Sequence, residues 1–103
     1  MTNQELKELL ETSGIKFAYH HWEKPPKMPY GVFFDPYTEN FAADNIAYAT
    51  IRHFIIELYV RQRDPAIEKR LEDVLTGADI YWDKDAAYID SERFFQISYE
   101  IEV

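Results

Sequence analysis

Leu6, Leu9 and Leu10 recur at helical spacing, with Glu5, Lys7, Glu8 and Glu11 on the other positions. This predicts a short amphipathic helix. Thr2 and Glu5 form a T-x-x-E capping box ahead of it, and Gly14 is its expected stop. A helix this short needs its leucine stripe docked on something else. Residues 15–22 then alternate: Ile15, Phe17, Tyr19 and His21 on one face of a strand, Lys16, Ala18, His20 and Trp22 on the other. Pro25, Pro26 and Pro29 exclude helix or central strand from residues 23–29. A second strand is expected over 30–35, with Tyr30, Val32 and Phe34 alternating, and residues 36–45 read as a connecting loop. A long strand follows over 46–61. There Phe54, Ile56, Leu58 and Val60 alternate with Ile55, Glu57, Tyr59 and Arg61. Both faces are partly apolar, the mark of a central strand.

Asp64-Pro65 opens a second helix, with an N-cap carboxylate followed by proline at the first helical position. Ile67, Leu71, Val74 and Leu75 make a single stripe, and Gly77 is the expected stop. Residues 80–82 are expected to lead through a turn at Asp83-Lys84-Asp85 into a strand at 86–90. The last strand covers 94–103. Phe95, Ile97, Tyr99, Ile101 and Val103 alternate strictly with Phe94, Gln96, Ser98, Glu100 and Glu102, the strongest strand signal in the chain. The order is α-β-β-β-α-β-β. One apolar stripe per helix predicts a two-layer α+β fold, a mostly antiparallel sheet with both helices on one face.

The 103 residues are expected to form one domain, 1–103. At 47% hydrophobic and 17% aromatic, the chain is too apolar for disorder. It has no cysteine, which removes disulfides, thiolate metal sites and thiol nucleophiles. The net charge of −8 argues against gripping nucleic acid, whose phosphates call for a basic face. Neither a spanning apolar run nor a signal-peptide pattern is visible, so a cytoplasmic setting away from the membrane is expected. Residues 79–103 carry seven acids against two bases, five of the eight excess negative charges. Such a charge pattern is ordinarily a solvated sheet face.

Candidates for chemistry are few. The glycines are scattered and make no phosphate-cradling loop, and the serines lack a nucleophile setting. His20 and His21, adjacent on a strand, would point to opposite faces. His53 would approach one of them only in a particular strand pairing. Ordinary sheet histidines are therefore favoured over a metal or acid–base role, and no metal, cofactor or catalytic residue is expected. Asp83 and Asp85 read as turn residues rather than a paired-acid site. The aromatics say more. Trp22, Tyr59 and Phe94 fall on the polar side of their strands, and Tyr37 and Phe41 sit in the long loop. Scattered surface aromatics are normal, whereas clustered ones mark a protein–protein surface. These five are the candidate interface residues.

The segments 18–30 (AYHHWEKPPKMPY), 41–45 (FAADN), 56–59 (IELY) and 95–101 (FQISYEI) resemble small head–tail structural proteins of tailed phages and prophages. These are the tail terminator, tail completion or head–tail joining proteins. The resemblance implies a small α+β subunit that assembles with itself into a ring, often hexameric, where head meets tail. It implies tail-tube and head-connector proteins as partners, with the host cytoplasm during assembly and then the virion as locations. It implies neither enzyme activity nor cofactor. DNA would be only a passing duplex, and Glu100 and Glu102 are candidates for an acidic lumen that does not grip it. The loop carrying Tyr37 and Phe41 is expected to order on a neighbouring subunit. Two other classes fit the residues. One is a small acidic inhibitor or immunity-type protein that captures a basic partner. The other is a small enzyme using His20 or His53 with a carboxylate, which would need a concave site.

Overall fold

The structure, a computed structural model describing residues 1–36 and 52–103, carries the expected α-β-β-β-α-β-β order. Helix α1 spans Asn3–Glu11. Its capping box closes in both directions: Glu5 N–H donates to Thr2 Oγ1 at 3.0 Å, and Thr2 N–H to Glu5 Oε1 at 3.1 Å. Gly14, at φ +86°, turns the chain into β1, Lys16–Tyr19. Strand β2 is Tyr30–Phe34 and β3 is His53–Val60. Helix α2 is Pro65–Gly77, with the Asp64 side chain accepting Ala66 N–H at 2.9 Å. The residue that ends α2 in left-handed conformation is Asp79, at φ +59°, not the expected Gly77. Strand β4 is Trp82–Ile89 and β5 is Phe94–Glu102.

The five strands form one sheet in the order β1-β2-β3-β5-β4. Among the described residues only β1 and β2 run parallel, and the other pairs are antiparallel. The fold is thus α+β with a mostly antiparallel sheet, and β3 is central as its two-sided pattern suggests. Leu6 and Leu10 of α1 and Leu71 and Leu75 of α2 pack in one core with Phe17, Phe33, Phe54, Ile56, Leu58, Ile97 and Ile101. The buried leucines of both helices therefore cover the same face of the sheet.

Two expectations about the strands are corrected as well. The first strand stops at Tyr19, not at 22. His20 takes φ +71°, and the chain folds back so that Trp22 Nε1 donates to Gly31 O at 2.9 Å. Asp83-Lys84-Asp85 is not a turn but the middle of β4. The β4–β5 turn lies at residues 90–93, where Arg93 has φ +57° and its N–H donates to Ile89 O at 2.8 Å. The cause is Lys84, which points toward the helices and binds Glu72 at 2.8 Å and Glu68 at 3.2 Å. Strand alternation then sends Asp83 and Asp85 outward.

Glu68 is 4% exposed and also takes a two-pronged bond from Arg63, Nη2–Oε1 2.8 Å and Nε–Oε2 3.2 Å. Tyr99 Oη donates to Glu72 Oε2 at 2.7 Å. Burial, then that carboxylate, pushes the Tyr99 phenol far up. This polar seam joins α2 to β4, β5 and the β3–α2 turn.

Gly31 is required by close approach. A Cβ built there would lie 2.2 Å from Phe17 Cε1, because the Phe17 ring crosses its strand partner. Gly31→Ala is expected to cost about 1–3 kcal/mol by overpacking. Gly77→Ala, with open space around it, should gain up to about 1 kcal/mol of helix propensity. Urea unfolding of the two variants measures both.

The hydrogen bonds from Arg63 hold the Glu68 carboxyl below its ordinary 4.5; burial opposes them and Lys84 assists. A depressed carboxyl contributes its stability in full above the unfolded value and loses it as pH falls through the folded one. Glu68→Gln should therefore flatten the fall in urea midpoint below pH 4.5 without abolishing it, since Asp35 and Glu5 are lowered too.

Candidate functional site

The face of the sheet turned away from the helices carries the alternate residues of each strand. Tyr30, Val32 and Phe34 of β2 lie there, because Gly31 and Phe33 take the helix side beneath Phe17. From β3 come His53, Ile55, Glu57 and Tyr59, and from β5 Phe94, Gln96, Ser98, Glu100 and Glu102. Cross-strand register aligns Tyr30 with Tyr59 and Tyr59 with Gln96.

These positions build an aromatic row. The fold-back at His20 sets Trp22 edge-on to Tyr30, ring centroids 6.2 Å apart. Tyr30 meets Tyr59 at 5.3 Å, and Tyr59 meets Phe94 edge-on at 5.3 Å. The spacings are those of favourable aromatic pairs. The expected interface residues Trp22, Tyr59 and Phe94 are thus brought together, through Tyr30. All four are half-buried, so each ring is packed on its neighbours while part of its surface stays open. The row borders a depression of about 290 Å³ lined also by His20, His21 and Glu57. Tyr37, Phe41, the loop around them and residues 46–51 of the expected long strand lie outside the described residues.

Polar contacts fix the row. Tyr59 Oη donates to Glu57 Oε1 at 2.9 Å, and Gln96 Nε2 donates to Glu57 Oε2 and, at 3.3 Å, to Tyr59 Oη. Burial first, then the Glu57 carboxylate, pushes the Tyr59 phenol up to about 12. Glu57 is thereby held by two donors and is a structural acceptor.

Toward the other end of the strands the same face turns acidic. Asp83 and Glu100 are direct cross-strand partners of like sign, and Glu102 lies opposite His53 with Nδ1–Oε1 3.6 Å. Glu100 and Glu102 are exposed, as their alternation with Tyr99 and Ile101 suggests. With Tyr81 they border a recess of about 220 Å³. Tyr81, 78% exposed, and Tyr88, 49% exposed, are large open side chains that pattern reasoning does not single out. Tyr81 lies just before β4, and Tyr88 occupies its helix-side row, where it packs on Phe95.

The histidines do not converge as a site. Because β1 ends before them, His20 and His21 do not point to opposite faces: their Nδ1 atoms are 3.0 Å apart, one ring donating and the other accepting. β2 separates β1 from β3, where His53 sits. Among the described residues no group of three or more His, Asp or Glu is placed to hold a metal ion, and no helix is long and apolar enough to cross a membrane.

The sheet edges are guarded. On β1, Phe17 N–H donates to Glu11 Oε2 at 3.3 Å, and Tyr19 O accepts His21 N–H at 2.8 Å. Inside the sheet, at the end of the β3–β5 ladder, Arg52 and Val103 exchange both backbone bonds at 2.9 Å. Alternation from that pair turns the backbone of Trp82, Lys84, Ala86 and Tyr88 toward the open edge of β4. Asp85 Oδ1 takes Ala86 N–H at 3.0 Å, and the charged Lys84 points inward from the strand's middle. Both features discourage a further strand from pairing.

Comparison of the chain with protein-family models, with curated proteins and with solved structures returns no match.

A spectrophotometric alkaline titration should contain a tyrosine step near 12 that Tyr59→Phe removes. A Tyr59→Phe trace superposing on the unsubstituted chain would show that Tyr59 is not the group held there.

Proposed function

We propose that the chain is a non-catalytic structural subunit of a tailed-phage or prophage particle, one that assembles with itself into a ring at the head–tail junction or the end of the tail tube. The aromatic row Trp22–Tyr30–Tyr59–Phe94 is the observation that carries this reading. It gives a preformed, partly open aromatic surface bordered by charged groups, the residue type that anchors subunit interfaces. In this reading Trp22, Tyr59 and Phe94 contact a neighbouring subunit, and Glu100 and Glu102 face a channel. Carboxylates lining such a channel repel phosphate, so a duplex slides through without being held. Tail-tube and head-connector proteins are the further partners, and the virion is the destination.

Native mass spectrometry across a concentration series, with electron microscopy of the largest species, tests the reading. Closed rings of several copies are expected. A chain that stays monomeric or dimeric throughout would move it to the inhibitor or immunity class. Phe94→Glu should shift the distribution toward monomer by at least tenfold in concentration while leaving the circular dichroism unchanged. Equal assembly of Phe94→Glu and the unsubstituted chain would remove the aromatic row from the interface.

A further inference from the structure

A second surface sits on the helix side, at the end of the sheet where β3 leaves for α2. The connection before β2, with its cis Met28–Pro29 bond, and the turn at residues 61–64 enclose a cleft of about 610 Å³. Its apolar lining is Met28, Pro29, Val60, Pro65 and Ile67. Its charged lining is Lys27, Arg61 and Arg63 with one acid, Asp64, whose carboxylate caps α2 through Ala66 N–H. Arg63 is committed to Glu68. Lys27 and Arg61 are exposed and have no ion pair or side-chain hydrogen bond among the described residues. A chain of net charge −8 thus holds two uncommitted cations at the mouth of one apolar cleft. This is the pattern of a receptor for an apolar anchor flanked by acids.

The chain itself carries such an anchor. Tyr81, 78% exposed, stands between Asp79 and Asp83, both exposed. Its hydroxyl reaches Asp83 Oδ1 at only 3.3 Å, so the ring projects with little to hold it. A tyrosine can bury about 150–250 Å² on docking. It cannot enter its own cleft. Tyr88 pairs with Phe95, the partner of Val60 at the cleft, and Tyr81 lies seven strand residues away, about 24 Å.

Resting on the ring reading above, we infer that Tyr81, flanked by Asp79 and Asp83, inserts into the Lys27/Arg61 cleft of a second copy of this chain. The ring fills the apolar floor, and the two carboxylates meet the two cations. Tyr81 and Asp83 border the same recess as Glu100 and Glu102, so the docked corner adjoins the acidic end of the open face. The contact joins two different patches at opposite ends of the sheet. It is therefore heterologous, the kind that propagates from copy to copy until a ring closes.

A charge-swap experiment tests it. Lys27→Glu/Arg61→Glu puts acids on both cleft and corner; Asp79→Asn/Asp83→Lys replaces the two docking acids of the corner by one cation while the cleft keeps its own. Each variant alone should assemble at least tenfold more weakly than the unsubstituted chain. An equimolar mixture should recover assembly with the two variants alternating, because every cleft then meets a corner of opposite sign. Tyr81→Ala should weaken assembly at least tenfold without altering any charge. All these positions are exposed, and circular dichroism verifies the fold of each variant. Variants that assemble as well as the unsubstituted chain, or a mixture that recovers nothing, overturn this contact and leave the ring reading standing. An unsubstituted chain that is monomeric at every concentration and salt overturns both.

Discussion

The architecture depends on a mismatch between layers. Five strands at about 4.8 Å spacing make a sheet roughly 20 Å wide, which two helices of about 10 Å diameter can cover on one side only. Helices α1 and α2 lie on the same side, and their leucines complete the core there. The opposite side of the central strands still carries Tyr30, Ile55, Tyr59 and Phe94, rings and aliphatic groups that water does not solvate well. They satisfy themselves in part by packing on one another, and Trp22 folds back to extend the row. Among the described residues, part of each ring in the row stays exposed.

Charge is distributed in step with this geometry. Behind the sheet, Glu68, Arg63, Lys84, Glu72 and Tyr99 form a hydrogen-bonded seam that fixes α2 on β4 and β5. A buried pair of this kind is costly to break from one side and adds little over an apolar contact. Its clearer contribution is positional: Lys84 orients the whole of β4. On the open face the acids concentrate at one end of the strands, and Lys27 and Arg61 sit behind the sheet at the other end. This separation gives the molecule two ends of different character, the polarity that the proposed heterologous assembly needs.

Local signals were legible in the residues, and non-local ones were not. The capping box at Thr2 and Glu5, Asp64-Pro65, and the strict alternation through β5 each depend on neighbours within a few positions, and each forms as read. Lys84 is the counterexample. Three charges in succession look like a turn until Glu72, 12 positions earlier, draws the lysine inward. The end of β1 was hidden likewise, because a positive φ at His20 leaves no mark on an alternating pattern. Tyr59 and Phe94 can be singled out because each occupies a polar register; Trp22 lies past the end of β1 and joins them through the fold-back at His20. Tyr30 cannot be singled out, because its face is decided by Phe17 lying over Gly31. The cleft joins Lys27 to Arg61 across a long stretch of chain, a proximity that only the packed fold creates.

The two tryptophans fall on opposite sides of the sheet. Trp22 lies on the open face with its indole N–H on Gly31, while Trp82 lies on the helix side, its indole N–H on Thr76 and its ring edge-on to Tyr99. Replacing either one leaves a single indole fluorophore. Emission from Trp22 then reports on whatever docks over the aromatic row, and emission from Trp82 on the integrity of the core. Association and unfolding thereby become optically separable in one polypeptide.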